Sequence, residues 1–328
     1  MLHALWIQLF VQPGVGHAAK KFWIKFATVA PEGSTWMKHM RRLDQTLKKK
    51  SKGEIGFRIY AGQIAGDEVD VLKKIRIGQL HCAAFSGVGL GQVLPMVRVL
   101  DLPFLFRDYQ EIDLAHKELK PFFAENFEKK SFEFLAWAEV GNVHLFSKKP
   151  IQRVADLAQL KVWTWSGDPI SKATFSSMGT NPIPLAITDV TTALNTGMID
   201  TVYAPPLAAL ALQWHVYLKY MTSFPLVHST GAVLISKKFF DKLPPHLSKM
   251  LIDEFEPAMA DLTTDLRAQA DEAVSLLQKS GLTIIPIPNE KDRKDFYKVH
   301  DRVAKDLTGK IYPPELLERV YRLIKKAP

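Results

Sequence analysis

The sequence predicts a two-domain α/β protein with a mostly parallel sheet in each domain, connecting strands and a long helix. Three observations predict it. The chain has 328 residues, room for about two domains at ~100–200 residues each. Strand and helix patterns alternate in two separate β-α-β series, one in each half. Between the series lies a run of strand-forming residues long enough to pass from one domain to the other.

In the first series, residues 23–30 alternate as a strand, Ser34 stands at a helix N-cap and opens a polar helix to about residue 50, and 54–61 is a second strand. Val69, Leu72 and Ile75 fall at helical spacing within 67–79, and the apolar run 80–85 reads as a buried strand ended by Ser86 and Gly87. A helix over 109–130 leads into the strand-rich stretch 131–147, the expected connector. The second series runs strand 160–165, helix 169–178, strand 181–185, helix 188–198, strand 199–204. A strand over 227–236 crosses back, and 245–280 forms a long helix. Pro257 is expected to kink or break it, because proline lacks an N–H and its ring crowds the preceding turn. A short strand at 282–288 and two amphipathic helices divided by Tyr312-Pro313-Pro314 complete the chain.

The formal charge of +9 invites a nucleic-acid reading. However, residues 1–58 hold 11 Lys and Arg against 3 Asp and Glu, leaving 32 against 31 elsewhere. The excess belongs to one end, either a solvated face or a footprint for an anionic partner, and no nucleic acid is expected. The single cysteine, Cys82, excludes an intrachain disulfide and a multi-cysteine metal cluster. Residues 1–18 read as a signal peptide, with an apolar run from Leu2 to Val11 and Gly16-His17-Ala18 before Ala19 as a small-x-small cleavage site. No Lys or Arg precedes the run, so a start upstream of Met1 is the alternative. No later stretch reaches the ~18 uncharged apolar residues of a membrane-spanning helix.

Catalytic motifs are missing: there is no HExxH, Walker loop, GxSxG or CxxC. Gly87-Val88-Gly89-Leu90-Gly91 has the spacing GxGxG rather than GxGxxG, and reads as a glycine turn whose amides face a ligand at a helix start. His81 and Cys82 are neighbours on a strand, so they point to opposite faces and are assigned structural roles. Asp67-Glu68 and Asp253-Glu254 are expected on solvated helix faces. No nucleophile has a paired base, so the chain is not read as an enzyme, and neither cofactor nor metal is expected.

The run Ile59-Tyr60-Ala61-Gly62-Gln63-Ile64-Ala65-Gly66-Asp67-Glu68, then Leu72 to Gln79, then Leu102-Pro103-Phe104-Leu105-Phe106-Arg107, resembles the extracytoplasmic solute receptors of tripartite ATP-independent periplasmic (TRAP) transporters. Asp156 to Val162 is similar to that family's D-L-x-G-L-K-I, Asn181-Pro182-Ile183-Pro184-Leu185 to its N-P-V-P-L, and Ala193 to Asp200 to its A-L-Q-T-G-x-I-D. Phe239-Phe240-Asp241-Lys242-Leu243-Pro244 matches a further segment. The resemblance implies a periplasmic-binding-protein-like fold of two domains closing over a solute, which is passed to TRAP permease subunits in the membrane. On that plan, 19–138 with about 228–258 form one domain and 139–227 with about 282–300 the other. Residues 259–281 are the interdomain helix and 301–328 the C-terminal helices.

The chain departs from this family at its ligand position. Where the resemblance implies an arginine after K-I, paired with a solute carboxylate, Trp163 stands. A second family arginine aligns with Val143, and the polar pair after G-x-I-D aligns with Tyr203 and Ala204. Trp163 and Trp165 share one side of a strand and, with Phe85, Tyr203 and Trp36, make an expected aromatic cleft; the alternative is that the two indoles fill core between the domains. Asp189 falls where the family often has a glutamate near the cleft, and N-terminal helix stabilisation explains it equally well. The candidate ligand residues are therefore Trp163, Trp165, Tyr203, Phe85, Trp36 and Asp189. Three solutes fit such a cleft: a large apolar or lipid-like molecule, an aromatic stacked on the indoles, or a quaternary ammonium in a cation–π cage. The protein is expected in the periplasm as a monomer or homodimer. The alternative is an envelope scaffold that no longer transports and docks on a lipid or protein partner.

Overall fold

A computed structural model describes residues 21–325; the expected signal peptide lies outside them. The first domain begins with strand β1 (Phe22–Ala27), helix α1 (Thr35–Lys50) and strand β2 (Ile55–Tyr60). Ser34 caps α1 by accepting the Met37 N–H. Met37, Met40, Leu43 and Leu47 form its buried stripe, and Lys48, Lys49 and Lys50 sit at the negative end of its dipole. Helix α2 (Glu68–Arg76), strand β3 (Cys82–Ser86) and helix α3 (Gly87–Val93) follow, then a 3-10 segment (Pro95–Asp101), helix α4 (Tyr109–Glu128) and strand β4 (Phe132–Trp137).

The chain enters the second domain on strand β5 (Gly141–Ser147) and continues through β6 (Trp163–Trp165), α5 (Pro169–Ser177), β7 (Ile183–Leu185), α6 (Val190–Thr196), β8 (Thr201–Ala204), α7 (Pro206–Ala211), β9 (Tyr220–Thr222) and β10 (Val227–Ser229). Strand β11 (Gly231–Ser236) and helix α8 (Lys237–Phe240) return to the first domain. Helix α9 (Pro245–Lys279), strand β12 (Thr283–Ile285) and helices α10 (Glu290–Leu307) and α11 (Pro314–Ile324) finish the fold.

The first sheet has the order β2-β1-β3-β11-β4, and the second β10-β5-β9-β12 with β8 also on β5. Pairing is mixed rather than mostly parallel. β1 runs parallel to β2 and β3, but β11 is antiparallel to β3 and β4. β5 is antiparallel to β8, β9 and β10, while β12 joins β9 in parallel and β6 and β7 form a separate parallel pair. The physical reason is the double crossing: β5 and β11 arrive from the opposite domain and so run against the strands they meet.

The predicted strand over 227–236 is two strands, one in each sheet, because Thr230 gives its N–H to the Asp101 carboxylate (2.8 Å) instead of the ladder. At Gly231 a Cβ would lie 2.3 Å from the Ala138 carbonyl, so glycine lets the two connectors touch. Pro257 does not break α9, which runs 35 residues. Pro257 is exposed, where a carbonyl deprived of its N–H partner meets water.

Ile24, Phe26, Met37, Leu47, Phe255 and Met259 pack α1 and α9 on one face of the first sheet. The second domain has its own cluster of Phe146, Trp163, Val190, Leu194 and Trp214.

Candidate ligand-binding cleft

A cavity of about 650 Å³ lies between the two domains. It opens beyond the carboxyl ends of β1, β3, β6 and β8, at Thr28, Ser86, Trp165 and Ala204, the usual ligand position in α/β sheets. Five of the six residues singled out in the sequence line it: Trp36, Phe85, Trp163, Trp165 and Tyr203. Trp163 is the centre of the aromatic wall. Its ring stacks on Tyr203 (centroids 4.9 Å apart), meets Trp214 edge-on at 5.4 Å and lies 5.9 Å from Trp165. Its indole N–H donates to the Leu185 carbonyl (3.1 Å), so the polar atom is satisfied, and the residue is 1% exposed, its ring already packed by Tyr203 and Trp214. Trp36 donates to the Glu139 carbonyl (3.3 Å) in the connector between β4 and β5.

Asp189 does not join them. It is exposed, makes no side-chain cap bond to α6 and is not part of the cavity wall. The Ile187–Asp189 turn places residue 187 inward and residue 189 outward, so alignment near the cleft did not translate into reach.

Two adjacent carboxylates contradict the expectation of a solvated face. Asp67 and Glu68, at the start of α2, are both buried. Asp67 caps α2 at Glu68 N (2.5 Å), takes the Trp165 indole N–H at 2.9 Å to each oxygen, and accepts from Ile187 N (3.2 Å). It therefore ties the first domain to the second. Burial pushes the Asp67 carboxyl above its ordinary range against these donors. Glu68 accepts from Ser86 N, Ser86 Oγ and Gly89 N at 2.8, 2.9 and 2.7 Å, yet burial pushes it up to about 7. That contact also corrects the reading of the glycine run: the Gly89 amide is spent on Glu68 rather than on a ligand.

The same glycines seat a buried arginine. A Cβ at Gly87 would lie 2.1 Å from Arg98 Nη1, and one at Gly91 would lie 2.7 Å from Arg98 Cδ. Arg98 pairs with Asp101 (2.8 Å) and, across the cleft, with Asp168 (2.7 Å), while its Nε has no hydrogen-bond partner. Burial opposes its charge, but Asp168 and Asp101 hold the guanidinium's pKa above the ordinary value. Burial pushes Asp101 up to about 6. Asp168 is fixed independently as the N-cap of α5, accepting from Ile170 N (3.0 Å). A further cross-cleft bond joins Gln92 to the Gly167 carbonyl at 3.2 Å.

At the connectors, Arg267 of α9 grips Asp113 (2.9 and 2.7 Å) and the buried Glu139 (2.8 and 2.6 Å). Burial depresses His228, on the returning connector, well below its ordinary pKa. No group of three or more His, Cys, Asp or Glu among the described residues is arranged to hold a metal.

The family model for bacterial extracellular solute-binding protein, family 7, also designated DctP, matches residues 26–310. The chain belongs to this family. Family 7 receptors bind small-molecule solutes outside the cytoplasm and deliver them to a membrane permease. No helix among the described residues is long and apolar enough to cross a membrane. This family 7 chain is 25% identical to the 2,3-diketo-L-gulonate-binding periplasmic protein YiaO of Escherichia coli, covering 83% of each. It is 23% identical to the C4-dicarboxylate-binding periplasmic protein DctP of Rhodobacter capsulatus, covering 86% of each. Among solved structures it is similar to a TRAP periplasmic solute-binding protein of Pseudomonas putida F1 with bound D-glucuronate. That match has a TM-score of 0.84 and 25% identity, and covers 92% of this chain and 97% of that one. A TRAP solute-binding protein from Shewanella oneidensis with bound succinate shares the fold at TM-score 0.87 and 17% identity, covering 93% and 99%. The two-domain fold expected from the motifs is thereby shown.

Proposed function

We propose that this TRAP-type receptor closes over an uncharged, largely apolar or aromatic solute and hands it to its permease. The observation that carries the reading is the charge inventory of the cavity wall. Among the described residues its charged members are Glu32, Glu68, Arg98, Asp101 and Asp168: four carboxylates and one cation, which is paired with two of them. A solute carboxylate desolvated there meets no free cation, and an uncompensated buried charge costs several kcal/mol. Aromatic side chains back the wall instead: Trp163, Trp165, Tyr203 and Phe85 line the cavity, Trp163 and Phe85 with only 1% and 2% of their surface exposed. Two relatives described with D-glucuronate and succinate show what the fold can hold, and this wall supports a different solute class.

The scaffold reading, motivated by the loss of both family arginines, takes the basic N-terminal segment as its docking face. Three of its cations are spent on the chain's own carboxylates: Arg41 on Glu32, Lys48 on Asp44 and Lys50 on Glu254. We therefore keep the receptor reading. Thermal-shift screening tests it: uncharged aromatic and apolar compounds should raise the melting temperature while succinate and D-glucuronate leave it unchanged. Stabilisation by the carboxylates alone would overturn it.

A further inference from the structure

We infer that Asp101 and Asp168 are specificity-determining residues, occupying from within the protein the positions around Arg98 that a solute carboxylate would take. The inference rests on the proposed uncharged solute and explains how carboxylates are refused. Arg98 is the one cation of the cavity wall among the described residues, and its two terminal nitrogens each donate to an internal carboxylate, Nη1 to Asp101 and Nη2 to Asp168. Guanidinium recognises an incoming carboxylate through paired N–H groups, and here one N–H of each terminal nitrogen already holds an internal carboxylate, leaving the Nε side without a partner. The triad carries one net negative charge, so an anionic solute is repelled as well as unserved.

The arrangement is built rather than incidental. Each aspartate has its own backbone donor, Thr230 N for Asp101 (2.8 Å) and Ile170 N for Asp168 (3.0 Å), and so stays in place without Arg98. Gly87 and Gly91 leave the space in which the guanidinium lies. Asp101 comes from the first domain and Asp168 from the second, so the site is complete only when the cleft is shut.

The test is a charge-removal series measured by isothermal titration calorimetry with succinate and D-glucuronate as probes. Asp168→Asn and Asp101→Asn/Asp168→Asn remove the competing charges while an amide oxygen remains for Ile170 N and Thr230 N, so the hold on the guanidinium is weakened at position 168 and released at position 101. The double variant should be less stable than wild type, regain stability on adding either probe, and bind it on the order of 10- to 100-fold more tightly than wild type, as one or two charge-assisted hydrogen bonds provide. Adding Arg98→Met should abolish the gain. If the double variant does not fold, the single Asp168→Asn variant carries the same prediction with a smaller gain. A folded variant that gains no carboxylate affinity overturns the inference while leaving the uncharged-solute reading intact. Tight carboxylate binding by wild type, unchanged across the series, overturns both.

Discussion

Asp67→Asn should loosen the closed cleft. The substitution is nearly isosteric, and asparagine remains a good N-cap for α2. What changes is the bridge to the second domain. The carboxylate accepts the Trp165 indole N–H on both oxygens at 2.9 Å and the Ile187 amide at 3.2 Å. An amide in its place keeps one acceptor oxygen and turns an NH2 toward donors, so at least one charge-assisted bond is lost. Such bonds contribute about 1.5–3 kcal/mol, which moves the open–closed equilibrium roughly 10- to 100-fold toward open. Single-molecule energy transfer between dyes at Lys49→Cys and Lys172→Cys reads this directly, since both positions are exposed, lie in different domains and leave buried Cys82 unlabelled. The high-transfer population should shrink in Asp67→Asn, and Trp165→Phe should reproduce the change. Identical closed populations in wild type and Asp67→Asn would refute the reasoning.

Three further outcomes follow from the same structure. Glu68 holds its proton more tightly folded (about 7) than at its ordinary 4.5, so the folded state binds more protons between those values and stability falls as pH rises through the window. Chemical denaturation at several pH values should show the wild-type-minus-Glu68→Gln difference dropping by about 3 kcal/mol from pH 4.5 to 7, at 1.36 kcal/mol per unit; a rise would contradict it. Arg267→Ala strands the buried Glu139 beside the connectors and should destabilise by about 3–5 kcal/mol in urea titrations, with Glu139→Gln restoring part of the loss. Gly91→Ala forces a methyl to 2.7 Å from Arg98 Cδ and should cost about 1–3 kcal/mol by the same assay.

Ordered motifs and period-2 and period-3.6 patterns made the two α/β series legible, and helix α1 begins at its Ser34 cap as expected. Sheet direction was not legible, because it depends on which domain a strand has come from: β5 and β11 look like any other strand locally. In the site, aromatic residues on one side of β6 were legible because alternation fixes their face. The charged half was not. Asp67-Glu68 looks like an ordinary acidic helix start, and its burial depends on distant partners, Trp165 and Ile187 for Asp67 and Ser86 and Gly89 for Glu68. Arg98 sits in an apolar run whose partner Asp168 is 70 residues distant. One local signal was available for Arg98: glycines four apart in α3 clear a groove on one helix face, and a long side chain is what fills such a groove. Asp189 shows the converse, a position near the cleft in alignment that the turn directs into solvent.

Native mass spectrometry of the receptor purified without refolding, followed by solvent extraction and identification of whatever leaves with it, tests the solute class most directly. An uncharged apolar or aromatic molecule that is present in wild type and lost in Trp163→Arg is the predicted result. A carboxylate released from wild type, and retained by that variant, would contradict it.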